Sequence, residues 1–238
     1  MIIFPMLGKS SRFFDVGYKK PKFQLALGNE TVFTKVVKSF DKYFDSTHFL
    51  FLVRDDFSAK DFVSKELIDL GIQDYRIKTF TEETLGQADS VIKGTLDYSG
   101  NTSIIIFNID TIRKNFFMPS SELSADGFLE VFKGEGNGWS FVEPGLDSNV
   151  LRTTEKDRIS ELCSNGLYGF KSLSDLRDSF YEVEQTHIES KTEIYIAPLY
   201  NQLIKSGKKI KYRLVDQSNI EHCGIPEDYE YLMAKYNL

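Results

Sequence analysis

The chain is poor in the residues that build disulfide frameworks, zinc sites and membrane spans. It has two cysteines and three histidines in 238 residues. No CxxC, HExxH or Cys/His cluster occurs, which argues against structural zinc. Cys163 and Cys223 lie far apart in the sequence, and we expect both to be free, buried thiols. No apolar run approaches the ~20 residues that cross a bilayer, and no signal peptide is evident, so we expect a cytoplasmic protein without membrane insertion.

The chain also lacks a surplus of positive charge. Its formal net charge is −6, which argues against nucleic acid as a partner because that affinity comes largely from basic surface. Against this acidic background Lys19, Lys20 and Lys22 form a local basic cluster, as a site for an anionic small molecule would. Aromatic residues make up 14% of the chain, and those in the second half could contribute to a homo-oligomer interface.

Apolar runs alternate with helical patterns in the first half of the chain. The periodicity predicts strands at 2–6, 49–53, 75–80 and 103–107, separated by helices at 31–44, 58–70 and 86–96. We expect Ser58 to cap the second of these helices. This order predicts an α/β fold with a mostly parallel central sheet flanked by helices. In such sheets ligands bind at the carboxyl ends of the strands.

The second half of the chain changes character and predicts a smaller antiparallel lobe. Short strand-like runs lie at 127–133, 139–143, 150–154, 158–163 and 166–170. Helices at 173–183 and 194–205, a strand at 209–215 and a helix beginning at Pro226 complete the pattern. We interpret residues 1–238 as one domain with two halves, at 1–125 and 126–238.

The first strand leads into a loop that is typical of an anion site. Gly8 and two hydroxyl residues allow backbone N–H groups to approach phosphate oxygens, while Arg12 and Lys22 add positive charge. A Walker A loop is excluded because Ile3 stands where its first glycine belongs, and a dinucleotide loop would need two further glycines. An ordinary basic strand-to-helix turn remains the alternative.

Polar residues at two other strand or helix boundaries could take part in the same site. Asp110 follows the fourth strand and could hold Mg²⁺ through one oxygen, or form an Asx turn or helix cap. Gly86 allows close approach of a flat ligand, and Gln87 has the donor and acceptor needed to read a base edge. The alternative for this segment is a plain helix start.

The second half and the C-terminal region supply three further candidates. Glu155-Lys156 could bind sugar hydroxyls and a phosphate, or form an exposed ion pair of little consequence. Asn165-Gly166 could add an amide and a close backbone contact, or form a turn. His222 could be a second metal ligand or a hydrogen-bonding core histidine.

In order and spacing these motifs resemble the sugar-phosphate nucleotidylyltransferases (NDP-sugar pyrophosphorylases), more closely the branch of bacterial capsule and surface-polysaccharide gene clusters. The resemblance rests on Gly8-Lys-Ser-Ser-Arg-Phe13, Gly17-Tyr-Lys-Lys-Pro-Lys22, Gly86-Gln-Ala88, Phe107-Asn-Ile-Asp110, Glu155-Lys156 with Ser164-Asn-Gly-Leu-Tyr168, Tyr195-Ile-Ala-Pro-Leu-Tyr-Asn201 and Gly224-Ile-Pro-Glu-Asp228.

The resemblance implies a Rossmann-like GT-A fold and a Mg²⁺-dependent reaction of an NTP with a phosphorylated acceptor that releases pyrophosphate. It implies catalytic roles for Arg12 and Lys22 and a metal site at Asp110 and His222. It implies acceptor binding by Glu155, Lys156, Asn165 and Gly166, and nucleotide binding by Leu7, Gly8, Lys9, Ser10, Ser11, Gly86, Gln87 and Ala88. It also implies that residues 1–125 form an NTP-binding half and residues 126–238 an acceptor-binding half. Three positions depart from the family pattern: serine replaces a glycine at Ser10, the lysine at Lys9 is unusual, and His222 replaces a carboxylate.

CTP is the preferred nucleotide in this interpretation, with a phosphorylated sugar or other small phosphorylated metabolite as acceptor. One alternative is a GT-A glycosyltransferase that uses a finished NDP-sugar. It predicts a DxD motif, whereas the sequence has Asn108-Ile109-Asp110. The other alternative is a non-catalytic nucleotide-binding protein, which would bind NTP without turnover.

Overall fold

The structure is a computed structural model that describes residues 1–118 and 125–236. The predicted boundary between the two halves of the domain, after residue 125, lies next to residues 119–124, which are outside the described residues. The strands, in chain order, are β1 Ile2–Met6, β2 Ala26–Leu27, β3 Glu30–Thr31, β4 Phe49–Arg54, β5 Tyr75–Phe80, β6 Ile104–Phe107, β7 Thr111–Arg113, β8 Gly127–Lys133, β9 Ser140–Pro144, β10 Val150–Glu155, β11 Leu162–Phe170, β12 Ile210–Leu214 and β13 Ile220–His222.

The α-helices are α1 Ser11–Asp15, α2 Val32–Val37, α3 Ala59–Asp69, α4 Gln87–Gly94, α5 Leu173–Ser190, α6 Tyr200–Lys205 and α7 Pro226–Tyr236. The predicted fold class is confirmed: the chain is α/β, with a large, mostly parallel central sheet flanked by helices and with small antiparallel sheets. Among the described residues, no helix combines the length and the apolar character that crossing a membrane requires.

The described residues form two compact units, each assembled from separate stretches of sequence. The first unit comprises Met1–Ile3, Glu82–Phe107 and Met118–Gln217. In it Ile2 and Ile3 pair in parallel with β6, whose four residues are all buried. The long strand β11 pairs antiparallel with β6, β8 and β9, and β12 runs parallel to β8.

The second unit comprises Phe4–Thr81, Asn108–Phe117 and Ser218–Leu238. Strands β4 and β5 pair in parallel, and five of the six β4 residues are buried. Two short antiparallel pairs, β7 with β13 and β2 with β3, complete the unit. Since β7 begins directly after Asp110, its pairing with β13 brings the C-terminal segment beside that residue.

Several predicted helix and strand boundaries differ from those in the structure. Ser58 has φ +50° and makes no side-chain cap, so it does not cap α3. The predicted helix at 31–44 changes from α2 into a 3₁₀ turn that contains a non-helical Phe40. The runs predicted as separate strands at 158–163 and 166–170 form the single strand β11, with a register shift between Ser164 and Tyr168. The predicted helix at 194–205 begins as a 3₁₀ turn at Ala197–Leu199 and continues as α6 from Tyr200.

Both cysteines are free and buried, as the sequence predicts. Pro226 begins α7, which ends at Tyr236 as expected.

Candidate active site

The loop predicted to bind phosphates lies between the end of β1 and the start of α1, in the second unit. A Cβ atom built at Gly8 would meet no heavy atom within 4 Å, so a ligand can approach the backbone there. The other predicted contacts of this loop are half-buried or exposed: Leu7, Lys9, Ser10, Ser11 and Arg12. The loop therefore has the openness that an anion site needs.

Ser10 holds the loop in shape and ties it to Lys22. Its φ is +52°, a left-handed conformation that favours glycine, which explains why the family pattern has glycine at this position. Its carbonyl oxygen accepts from the backbone N–H groups of Phe13 and Phe14, at 3.0 and 3.2 Å. Its hydroxyl accepts from the backbone N–H of Lys22 at 3.2 Å. The Ser10 hydroxyl thus fixes the position of the Lys22 backbone relative to the loop.

Lys22 and Asp110 form an ion pair, although 88 positions separate them in the sequence. The Lys22 Nζ atom lies 2.5 Å from Oδ2 of Asp110, and the two side chains are 19% and 23% exposed. Burial raises the pKa of the Asp110 carboxyl, but the charge and hydrogen bond of Lys22 outweigh it, and the net shift is downward. Asp110 is therefore ionised, and the two side chains that carry the predicted chemistry lie in contact.

The strand β13 places His222 near Asp110. His222 pairs with Thr111, and the backbone N–H of Cys223 donates to the carbonyl oxygen of Asp110 at 2.9 Å. Burial lowers the pKa of His222 although the charge of Asp110 opposes this, so the imidazole is neutral near pH 7. Within the part of the chain that the structure describes, no group of three or more His, Cys, Asp or Glu side chains could hold a metal ion. An ion bound at Asp110 would therefore take most of its ligands from substrate and water.

The predicted base-binding loop lies in the first unit, where Gly86 precedes α4. Gly86 has φ +115°, and a Cβ atom there would lie 2.9 Å from the backbone N and O atoms of Ile194. The N–H of Ala88 donates to the carbonyl oxygen of Ile194 at 3.0 Å, and the N–H of Ile194 donates to that of Leu85 at 2.6 Å. Glycine is thus required here by the chain's own backbone. Gln87, the first residue of α4, is half-buried.

The predicted acceptor residues Glu155 and Lys156 stand at the end of β10, also in the first unit. Lys156 Nζ donates to the Tyr195 hydroxyl at 2.7 Å and lies 3.8 Å from Oε1 of Glu155. That hydrogen bond raises the pKa of Lys156, with partial burial opposing it. Glu155 is 16% exposed and accepts from the Ser140 hydroxyl. Burial raises the pKa of Glu155, and this effect outweighs the Ser140 hydrogen bond and the charge of Lys156, which both lower it.

Tyr195 and Glu193 have no role in the predictions from the sequence, yet both belong to this cluster. The Tyr195 hydroxyl donates to the Glu193 carboxylate. The segment beginning at Tyr195 was among the motifs of the resemblance, but nothing in the sequence linked it to Lys156.

Asn165 and Gly166 lie inside β11, at its register shift. Asn165 is 1% exposed, and its amide donates to Oε2 of buried Glu130 at 2.9 Å. Its Oδ1 accepts from the N–H of Leu167 at 3.1 Å. Gly166 has φ +87°, which a side chain would strain. Asn165 therefore stabilises the bulge that contains Gly166, which is also buried, and contact of either residue with an acceptor stays a prediction.

Comparison with solved structures identifies the family. The nucleoside-diphosphate-sugar pyrophosphorylase from Vibrio cholerae RC9 is 40% identical in sequence, with a TM-score of 0.92 over 98% of this chain and 100% of that one. The chain belongs to the nucleoside-diphosphate-sugar pyrophosphorylase family. No protein-family profile matches the chain, and no curated protein matches it in sequence.

More distant solved structures share the fold of this chain. The inositol-1-phosphate CTP transferase from T. maritima is 17% identical, with a TM-score of 0.73 over 99% of this chain and 94% of that one. A UDP-glucose pyrophosphorylase complexed with UDP-glucose is 14% identical, with a TM-score of 0.75 over 99% of this chain and 97% of that one. These two likenesses confirm the nucleotidyltransferase fold that the sequence motifs imply.

Proposed function

We propose that this protein transfers a nucleotidyl group from an NTP to a phosphorylated sugar or other small phosphorylated metabolite and releases pyrophosphate. The observation that carries the proposal is the Lys22–Asp110 ion pair beside the open Gly8 loop. An oxygen of the acceptor phosphate attacks the α-phosphorus and forms a new P–O bond. The bond between the α-phosphorus and the bridging oxygen breaks, and its electron pair leaves with pyrophosphate. No protein nucleophile is needed.

Lys22 and Arg12 supply the positive charge that this step requires. Negative charge develops on the α-phosphate and the leaving pyrophosphate, so cations fixed in advance stabilise the transition state. An ammonium has three donors, and Lys22 uses one on Asp110, which leaves it able to contact phosphate oxygens. Exposed Arg12, on α1, can donate to two oxygens at once.

Asp110 fits a role as a Mg²⁺ ligand. Mg²⁺ in nucleotide enzymes is bound through one or two carboxylates plus water and phosphate oxygens, and Asp110 is an ionised, partly exposed carboxylate. When bound, the ion neutralises charge on the phosphate oxygens. His222 is the second proposed ligand, although its nitrogen suits this hard cation less well than an oxygen would.

The acceptor binds to the Glu155–Lys156 pair in this proposal. Lys156, 55% exposed, contacts the acceptor phosphate, while Glu155 accepts hydrogen bonds from hydroxyl groups. The bulge at Asn165 and Gly166 supports the same ligand through its backbone. Gly86 and Gln87 contact the nucleotide base in this proposal, and Ala88, whose side chain is fully buried, lies directly behind them.

The finer parts of the proposal rest on the motif resemblance. We propose CTP as the nucleotide, the synthesis of capsular or surface-polysaccharide precursors as the context, and the cytoplasm as the location. A homo-oligomer through aromatic residues in the second half of the chain is also proposed.

The test is pyrophosphate release with Mg²⁺. CTP, UTP, dTTP, GTP and ATP are each combined with sugar-1-phosphates and other small phosphomonoesters. We expect release that requires CTP and one acceptor together. Release with a different NTP would overturn the CTP assignment alone. Absence of release from every pair, with measurable NTP binding, would favour a non-catalytic nucleotide-binding protein.

A further inference from the structure

Lys156 has an unusual backbone conformation for a residue with a long side chain. Its φ is +55°, in the left-handed region that non-glycine residues seldom adopt and that is enriched at functional sites. Its backbone N–H donates to the carbonyl oxygen of Trp139 at 2.9 Å. The main chain therefore fixes the direction in which the lysine side chain leaves β10.

The end of this side chain is held by Tyr195. The Nζ atom lies 2.7 Å from the Tyr195 hydroxyl and 4.6 Å from the centre of its ring. Because the tyrosine proton is donated to Glu193, the hydroxyl oxygen is left to accept from the ammonium. Hydrogen bonds in such a chain polarise and strengthen one another.

The tyrosine is itself anchored by its neighbour in the chain. Ile194 exchanges two backbone hydrogen bonds with the loop around Gly86, donating to Leu85 and accepting from Ala88. The close packing of Gly86 against Ile194, which leaves no room for a Cβ atom, fixes this segment in place. The segment of Glu193, Ile194 and Tyr195 thus contacts the Gly86 loop through the backbone of Ile194 and contacts Lys156 through the side chain of Tyr195.

We propose that Tyr195 is a positioning residue that holds the Lys156 ammonium in the orientation required by the acceptor phosphate. This inference rests on the proposed function. A free lysine side chain samples many rotamers, and fixing it before the ligand arrives lowers the entropy lost on binding. Lys156 keeps two further donors for phosphate oxygens. Tyr195 itself needs no contact with the acceptor.

The decisive variant is Tyr195→Phe, which removes the hydroxyl and keeps the ring. Tyr181→Phe, on an exposed tyrosine of α5, is the matched control. Steady-state pyrophosphate release is measured with each substrate varied in turn. We expect the KM for the acceptor to rise about tenfold in Tyr195→Phe, the size of one lost hydrogen bond to a charged group. The KM for NTP stays within about twofold, and Tyr181→Phe behaves as wild type.

An unchanged acceptor KM in Tyr195→Phe would overturn the inference. So would an equal rise in both KM values, because a general structural effect would not distinguish the substrates. A wild-type enzyme that releases no pyrophosphate from any substrate pair would instead overturn the proposed function, and the positioning role with it.

A second readout tests the contact without turnover. Lysines are reductively methylated with ¹³C-formaldehyde, and the Lys156 signal is assigned by its loss in Lys156→Arg. We expect this signal to be displaced from those of exposed lysines in the wild type and to move toward them in Tyr195→Phe. A Lys156 signal that is the same in both proteins would show that Tyr195 does not hold the lysine.

Discussion

Glu221, on β13, is the centre of a charged cluster whose stability depends on pH. Its side chain is 6% exposed, and it accepts from the ammonium groups of Lys114 at 2.5 Å and Lys235 at 2.7 Å. The Tyr236 hydroxyl also donates to it. Burial raises the pKa of Glu221, but these three hydrogen bonds lower it from 4.5 to about 2. The cluster therefore joins β13 to α7 through one ionised carboxylate.

The variant Glu221→Gln removes the charge and keeps the shape of the side chain. The shift in pKa corresponds to about 3 kcal/mol of stability at neutral pH. We expect a smaller cost of about 2 kcal/mol, because Lys114 and Lys235 are 37% and 46% exposed and water screens them. Since the folded-state pKa is lowered, the stabilisation is complete well above pH 4.5 and is lost as the pH falls toward 2. The difference between wild type and variant should therefore be about 1 kcal/mol smaller at pH 4 than at pH 7.

The assay is urea denaturation of both proteins at pH 7 and pH 4. Glu182→Gln, at an exposed position of α5, is the control and should unfold at the same urea concentration as the wild type at both pH values. A cost of Glu221→Gln that is the same at pH 4 as at pH 7 would refute the electrostatic reasoning. It would show that packing, rather than charge, makes Glu221 important.

Three further variants test the candidate site. Gly86→Ala should destabilise the protein by about 3 kcal/mol in urea denaturation, because of positive φ and the contact with the Ile194 backbone. Gly207→Ala, also at positive φ but in open space, should cost only about 1 kcal/mol, and equal costs would contradict the role of that contact. Lys22→Ala should lower kcat for pyrophosphate release by at least about 100-fold, with the fold retained by circular dichroism and a lower melting temperature because Asp110 loses its partner. Lys60→Ala, at an exposed position of α3, should change neither kcat nor the melting temperature. Asp110→Asn should raise the Mg²⁺ concentration needed for half-maximal activity, and an unchanged requirement would place the metal elsewhere.

The sequence predicted the sheet well where strands are buried on both sides. Continuous apolar runs such as β4 and β6 have one physical solution, a strand covered by helices. Strand β1, at Ile2–Met6 and buried at four of its five residues, was predicted with its observed ends. The strand pair β7–β13 was not predicted, because each partner is short and their pairing joins segments more than a hundred residues apart. Short-range periodicity carries no signal for such pairs.

Local chemistry at helix starts was predicted less well. Serine favours the N-cap position, yet Ser58 adopts φ +50° and makes no cap, while Ser172 caps α5 by accepting from the N–H of Asp175. A cap depends on the backbone angle of its residue, and neighbouring elements set that angle. Residue type alone therefore could not distinguish the two serines.

The sequence by itself determined the fold class, the burial of both cysteines and the order of motifs that places the chain in its family. These properties follow from residue type and local spacing, which fix periodicity and burial. Only the tertiary structure decided that Lys22 meets Asp110, that Gly86 packs against Ile194 and that Tyr195 holds Lys156. Each of these contacts joins residues far apart in the chain, and their geometry is set by how whole strands and helices pack.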